Sequence, residues 1–401
     1  VGLAWRQESF LFTGDTRTNL SSSDALIFNA PFDNGLATNG TLKRTVKAVY
    51  LELQIPLLKN LDLTASGRVD QYSGFGSSKN PKLALRWAPT EKFLVRAAYS
   101  TAFGVPTFKY QYDPVTESPL ASTGLIDPGT GQLIQPNSAT ILFGGKPDLQ
   151  PEKAKMYSAG FVVQPTRNIS ASVDWWAVNR TGTIKSFGTT QLLANYAIFK
   201  DRFIRRADGT IAQIDTRWVN SGQASTRGID FGVKANMDVG DKGKLFADFD
   251  LSYLLEKKSR LLPNAPWGVS EIDSFTRSSD IGLHNKQTAS VSYRQGNWTV
   301  TVNELFRNAY ADAVLPGVAS GAVHPPQWNP TVKAYRLFGL SVTYRGIKGT
   351  TVTAGIKNLF NTDPPFSATY DTNSGAGSSW EPRIADPRGR SFTLRVDYKF
   401  Y

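Results

Sequence analysis

Two histidines, His284 and His324, stand far apart with no acidic partner at metal-binding spacing. Imidazoles ligate haem or metal when they converge; here surface or loop positions are expected. There is no cysteine, so disulfides, thiolate nucleophiles and sulfur-based zinc frameworks are excluded. Asp230, Asp248 and Asp250 offer carboxylates in sequence proximity. Acid–base work needs burial to separate two carboxyl pKa values, whereas these three fall on an alternating polar face, where water and Arg/Lys partners are expected. Gly74-Phe75-Gly76 and Gly144-Gly145 lack the strand–glycine–helix context of a phosphate loop. No Gly-x-Ser-x-Gly nucleophile elbow occurs. Covalent catalysis, metals and cofactors are therefore not expected, and the chain does not read as an enzyme.

What remains is recognition chemistry. The segment 180–223 reads as a long loop and carries Lys200, Arg202, Arg205, Arg206 and Arg217. Such a cluster steers anions electrostatically. It serves equally to grip anionic lipopolysaccharide or to remain solvated. Tyr110, Tyr112, Trp267, Trp328 and Trp380 fall in other long loops. Their rings stack on sugars or catecholates, or simply pack the loops.

The elements that position these loops are strands. The chain has 401 residues, 12% aromatic, with 34 glycines and 2 methionines, a composition that favours β structure. At 245–256, Leu245, Ala247, Phe249, Leu251, Tyr253 and Leu255 alternate with Phe246, Asp248, Asp250, Ser252 and Glu256. Residues 61–72, 229–237 and 391–400 alternate in the same way. Fourteen strands follow, near 1–12, 44–55, 61–72, 81–88, 92–103, 153–164, 169–179, 224–239, 245–256, 284–294, 298–309, 333–345, 350–361 and 390–401. Many run to about twice the usual globular length, and match the ~9–11 residues that cross a bilayer. Their polar faces carry charges at mid-strand, as a wet lumen would require. Tight turns alternate with long loops at 104–152, 180–223, 257–283, 310–332 and 362–389, the asymmetry of an outer-membrane barrel. No run of eighteen apolar residues offers a transmembrane helix.

The stretch VTAGIKNLFNTDPPFS shows the logic locally. Val352, Ala354 and Ile356 form an apolar face, the strand exits at Asn358–Asn361, and Phe360 is expected at the headgroup level. Asp363-Pro364-Pro365 then stops the ladder, because proline lacks the donor. In Trp175-Trp176, Trp175 is expected at the lipid face and Trp176 inward. The net charge of +12 is spread without a basic helix or dense Lys/Arg run, so nucleic acid is not an expected partner.

Five motifs in order resemble the TonB-dependent outer-membrane receptors of Gram-negative bacteria. They are Ala102-Phe103-Gly104-Val105-Pro106, Lys146-Pro147-Asp148-Leu149-Gln150-Pro151-Glu152, Ser225-Thr226-Arg227-Gly228-Ile229-Asp230, Asn358-Leu359-Phe360-Asn361, and Asp386-Pro387-Arg388-Gly389-Arg390. Relative to the family, Gly104 replaces a common arginine, and Lys146 and Gln150 depart from asparagine and lysine. The last strand, with Phe392, Leu394, Val396, Tyr398 and Phe400, resembles the family's barrel-assembly signal, with Tyr401 one residue beyond. Val1-Gly2-Leu3-Ala4-Trp5 is strand-like and lacks a signal peptide's basic and apolar regions.

The resemblance implies an all-β transmembrane antiparallel barrel. Residues 1–401 would form about the last fourteen strands of a 22-stranded barrel, with the plug domain and TonB-contacting box absent from this chain. It further implies TonB-dependent uptake of a scarce ligand, with a ferric siderophore or similar iron chelate ahead of carbohydrate. The expected partners are the TonB complex through a plug, outer-membrane lipid and lipopolysaccharide, and the small ligand. A passive porin, a surface receptor barrel and a soluble multi-sheet β-protein are the rival readings.

Overall fold

The computed structural model describes residues 1–11, 41–113, 115–240, 242–276, 280–312, 318, 321, 330–367 and 379–400. In chain order its strands begin with β1 (Gly2–Phe10), β2 (Leu42–Leu58), β3 (Leu61–Tyr72), β4 (Gly76–Thr90) and β5 (Phe93–Gly104). Then come β6 (Thr116–Pro119), β7 (Thr140–Phe143), β8 (Glu152–Thr166), β9 (Ile169–Lys185), β10 (Phe203–Arg205), β11 (Ile211–Asp215), β12 (Val219–Val239) and β13 (Gly243–Arg260). The last are β14 (Asn285–Gln295), β15 (Trp298–Arg307), β16 (Tyr310–Ala311), β17 (Thr331–Val332), β18 (Tyr335–Ile347), β19 (Thr350–Lys357) and β20 (Ser391–Tyr398).

Fourteen of these form one sheet, in the order β1-β2-β3-β4-β5-β8-β9-β12-β13-β14-β15-β18-β19-β20. Every neighbouring pair in it is antiparallel. They are the fourteen strands that alternation predicts, although β2, β4, β9, β12 and β13 run past their expected ends and β19 stops short of its own, at Lys357.

The apolar face is continuous across partners. Ile229 sits opposite Trp175 and Tyr253, and Phe231 opposite Val173 and Leu251. Further along, Leu83, Leu85 and Trp87 remain exposed on the same face. Aromatic pairs edge this band: Tyr99 and Tyr157 lie 5.1 Å apart at one margin, Trp298 and Tyr344 4.4 Å apart at the other. On β12 the apolar run covers Ile229–Val239, close to the ~9–11 residues that a tilted strand needs to cross hydrocarbon. Opposite it, the polar face carries paired charges. Arg96 grips Asp174 at 2.7 and 2.5 Å, Arg86 reaches Asp62 at 3.3 Å, and Lys234 reaches Asp248 at 3.5 Å.

Trp175 lies on the apolar face and Trp176 on the polar one. A Cβ at position 228 would come within 2.8 Å of both the Trp176 ring and the Tyr253 carbonyl oxygen. Glycine at 228 is thus a packing requirement. Beside it, β13 inserts one extra residue, so that Arg227 faces Glu256 while Gly228 faces Leu254. Alternation assigns Glu256 to the polar face with Asp248 and Asp250. The bulge turns it to the other face, where it accepts from Arg227 at 2.9 Å and Ser225 at 2.8 Å. A bulge reverses parity for everything beyond it.

The motif Asn358–Asn361 ends β19 by backbone geometry. Asn358 and Asn361 have φ of 51° and 54°, a region asparagine tolerates better than most residues. The Asn358 amide accepts from Thr362 N at 2.7 Å and donates to Thr362 O at 2.9 Å. Asn361 Oδ1 accepts from Arg390 N at 2.8 Å, which ties the start of β20 to the end of β19. Phe360 stays exposed and packs edge-on against Phe338 at 5.5 Å.

Candidate functional site

The two longest loops are not irregular. Strands from 104–152 and 180–223 interleave into a second sheet, in the order β10-β11-β7-β6. β11 and β7 pair in parallel, Ile214 opposite Ile141, so neither loop completes this sheet alone. A helix, Thr189–Ala194, covers it. Its apolar core includes Leu120, Ile134, Phe187, Leu192, Phe203 and Ile214, with Leu120 and Ile214 fully buried.

The basic residues of 180–223 hold this unit together. Arg205 donates to both carboxylate oxygens of Asp127 at 2.6 and 2.7 Å, and also to Gly209 O and Tyr196 Oη. The Arg205 hydrogen bonds hold the Asp127 carboxyl at about 2, and the same pairing raises Arg205. Arg202 is buried and donates to the carbonyls of Asp215, Arg217 and Trp218. Arg217 pairs with Asp215 at 2.9 Å, and Arg206 donates to Ser138 O at 2.6 Å, bridging the loops. Lys200 is exposed. Four of the five cations therefore have partners within the protein.

The segment Lys146–Glu152 has a positioning role. Gln150 N donates to Asn220 Oδ1 at 2.7 Å, and Asn220 Nδ2 returns a bond to Gln150 O at 2.6 Å. Glu152 Oε1 accepts from Ile184 N at 2.6 Å, and Lys146 N donates to Tyr110 O at 2.8 Å. These bonds clamp the loop unit over the ends of β5, β8, β9 and β12.

Beneath the unit lies a cavity of about 650 Å³. Tyr110 and Trp218 meet in its wall, ring centroids 4.2 Å apart, one from each loop. Arg180, Lys185 and Lys257 line it with Glu152 and Glu271. Lys257 lies 3.9 Å from Glu271, and Arg180 3.9 Å from Glu152. Lys258 adjoins the cavity through its strand, but its ammonium reaches Glu256 at 2.9 Å. The cavity thus offers cations whose carboxylate contacts are long, with the Lys257 ammonium also donating to Asp280 O, next to a pair of aromatic rings tilted 40° to each other.

Of the aromatic candidates among the described residues, only Tyr110 lines this cavity. Tyr112 is exposed and packs on Phe108 at 6.4 Å. Trp267 lies under Lys258 and Arg260, at 5.0 and 4.8 Å. Trp380 is half-buried near the last loop. Trp328 and His324 lie outside the described residues. The His284 ring meets Tyr253 edge-on at 4.1 Å, and its backbone N–H donates to Asp273 at 2.7 Å.

The sequence motifs did not point to Arg180, Lys185, Lys257 or Trp218. Alternation ended β9 at Asn179 and β13 at Glu256, one residue short of Arg180 and Lys257. Longer strands would have included both, although the bulge would still have hidden which way Lys257 points.

A long antiparallel sheet with a lipid-like apolar face, a charged opposite face and a loop-built vestibule defines an outer-membrane receptor barrel. Residues 1–359 match the family model described as TonB dependent receptor-like, beta-barrel, and the chain belongs to that family. It is 23% identical over 366 residues to the ferric enterobactin receptor PirA of Pseudomonas aeruginosa, covering 90% of this chain and 42% of that one. It is 21% identical over 413 residues to the probable TonB-dependent siderophore receptor PirA of Acinetobacter baumannii, covering 100% and 48%. The chain therefore spans less than half the length of these curated relatives. Its fold is similar to the crystal structure of the Acinetobacter baumannii PirA, with TM-score 0.63 and 16% identity over 99% of this chain and 51% of that one. It is also similar to a mutant of the Pseudomonas aeruginosa ferric enterobactin receptor crystallised with enterobactin, with TM-score 0.66 and 16% identity over 99% and 51%. At such identities the structural likeness shows the fold. The family is one of receptors and transporters, whose barrels are outer-membrane proteins of Gram-negative bacteria.

Proposed function

We propose that this chain is the later part of the barrel of an outer-membrane receptor that imports a ferric siderophore with energy supplied through TonB. The observation that carries the reading is the vestibule, whose lining Arg180, Lys185 and Lys257 share with the Tyr110–Trp218 ring pair. Anionic iron chelates are drawn to the cations, and the planar iron-binding groups of catecholates stack on the aromatic pair. The names of the curated relatives point to the same ligand class.

In this reading the plug and its TonB-contacting segment belong to sequence outside residues 1–401, and the relatives' greater length leaves room for them. The polar face lines the lumen in which the plug would sit. Its charge pairs, such as Arg96–Asp174, keep that wall rigid and wet. Lipid surrounds the apolar band, and lipopolysaccharide surrounds the outer ends of the strands.

The test is iron-limited growth of a siderophore-deficient Gram-negative host that carries the full-length gene. Growth on a panel of ferric siderophores, lost on deletion of tonB, is the expected result. Uptake that persists without TonB would make the protein a passive porin. TonB-dependent uptake of oligosaccharides in place of iron chelates would move the ligand to carbohydrate.

A further inference from the structure

Arg44, near the start of β2, is a cation with almost no solvent: it is 5% exposed. Its guanidinium lies over the rings of Phe75 and Phe108, 5.1 and 4.5 Å from their centroids. Nη2 donates to Pro106 O at 2.9 Å and to Gln111 Oε1 at 3.1 Å. Glu8 Oε2 stands 3.6 Å from Nη1, beyond hydrogen-bonding distance. A charge held by two rings and two neutral oxygens costs more to bury than an apolar side chain does. What Arg44 holds is the segment that presents Tyr110. Pro106 and Gln111 bracket the N-terminal turn of the short helix Phe108–Tyr112, where Tyr110 N donates to Thr107 Oγ1 at 3.2 Å. Gln111, also 5% exposed, passes the contact on, its Nε2 donating to Pro147 O at 3.1 Å. Gly145 N donates to Asp113 O and Lys146 N to Tyr110 O, each at 2.8 Å. A Cβ at 145 would come within 2.6 Å of Gln111 O, so the two segments are pressed together. The motifs at 102–106 and 146–152 are thus joined through Gln111 and an arginine 67 positions before it.

We propose that Arg44 is a positioning residue of the vestibule: it fixes the helix Phe108–Tyr112 so that the Tyr110 ring stands against Trp218, and it sets ligand affinity without touching the ligand. Arg44 does not line the cavity, whereas Pro106, Thr107 and Tyr110 do. The effect reaches the cavity through the backbone of one short turn. Holding a ring in place before the ligand arrives removes an ordering cost from binding. The position calls for arginine, because a guanidinium stacks its faces on rings while its edge donates to two oxygens, and an ammonium does not. For its ligand the inference rests on the siderophore reading of the vestibule; for its geometry it rests on the clamp alone.

The experiment is a double-mutant cycle on the full-length receptor in mild detergent, with ferric enterobactin as the probe and hydrogen exchange read without ligand. Arg44→Met keeps the apolar stem and removes the donors; it should weaken binding about fivefold, and Arg44→Lys should weaken it about threefold. In the Tyr110→Ala background the Arg44→Met loss should shrink to less than about 1.5-fold, since the ring that Arg44 positions is gone. Without ligand, exchange should accelerate in 107–113 and 145–147 of Arg44→Met, while 203–215 exchanges as in wild type. Equal losses with and without the Tyr110 ring would overturn the proposal, because general loosening gives that result. Unchanged affinity in Arg44→Met would also overturn it, as would unchanged exchange. Gln111→Leu breaks the same clamp from its other side. It decides the matter where Arg44→Met fails to assemble: a loss confined to the Tyr110 background supports the proposal, and wild-type affinity overturns it. A wild type that binds no ferric enterobactin, with exchange still accelerated by Arg44→Met, would overturn the siderophore reading and support the clamp.

Discussion

Arg205 and Asp127, separated by 78 positions, close a two-pronged hydrogen bond of 2.6 and 2.7 Å between the two halves of the loop unit. The Asp127 side chain is 5% exposed and that of Arg205 24%. Removing one partner leaves the other charge with little solvent, which is worse than never having built the pair. Arg205→Ala should destabilise the loop unit by about 2–3 kcal/mol. Hydrogen exchange would accelerate in 116–143 and 203–215, while the long sheet exchanges as before. Uniform acceleration across the chain would show that the unit does not open independently.

The same pair makes the unit acid-sensitive. Arg205 lowers Asp127 from 3.8 to about 2. A carboxyl depressed by folding contributes stability that is complete above its unfolded pKa and lost as pH falls through the folded value. The window is therefore about pH 4 down to about pH 2, and the amount about 2 kcal/mol. Pepsin cleavage within 124–135 should rise as pH falls through that window in wild type. In Asp127→Asn it should be high already at pH 4.5 and change little below it.

Tyr110 and Trp218 should act as one binding surface. Tyr110→Ala and Trp218→Ala should each weaken ferric siderophore binding by about tenfold, or about 1.4 kcal/mol. The double variant should fall short of the sum, because the rings support each other. Calorimetry on the full-length receptor reads this directly. Tyr112→Ala, whose ring packs on Phe108 away from the cavity wall, should stay within twofold.

Asn358 tests the strand-ending motif. Its φ of 51° penalises most side chains by about 1–2 kcal/mol, and its amide makes two bonds to Thr362. Asn358→Ala loses both terms and should lower the temperature at which the folded barrel converts to its unfolded mobility on gels. Asn358→Gly restores the backbone freedom but not the bonds, so it should fall between Ala and wild type. Equal behaviour of the two variants would assign the whole effect to the hydrogen bonds.

The sequence by itself determined the fourteen long strands, the apolar faces where alternation runs unbroken, where the tight turns fall and which family motifs recur. Those features are local: a period of two fixes the faces, and a lipid boundary enforces that period over some ten residues. Only the tertiary structure decided that the basic loop cations are mostly paired internally, as Arg202 and Arg205 are. The parallel contact of Ile141 with Ile214 joins segments that no local pattern relates. Arg180 and Lys257 came into the vestibule because β9 and β13 extend beyond their obvious patterns. The bulge at Arg227–Glu256 then reversed the facing, since one inserted residue exchanges the two faces of everything that follows it.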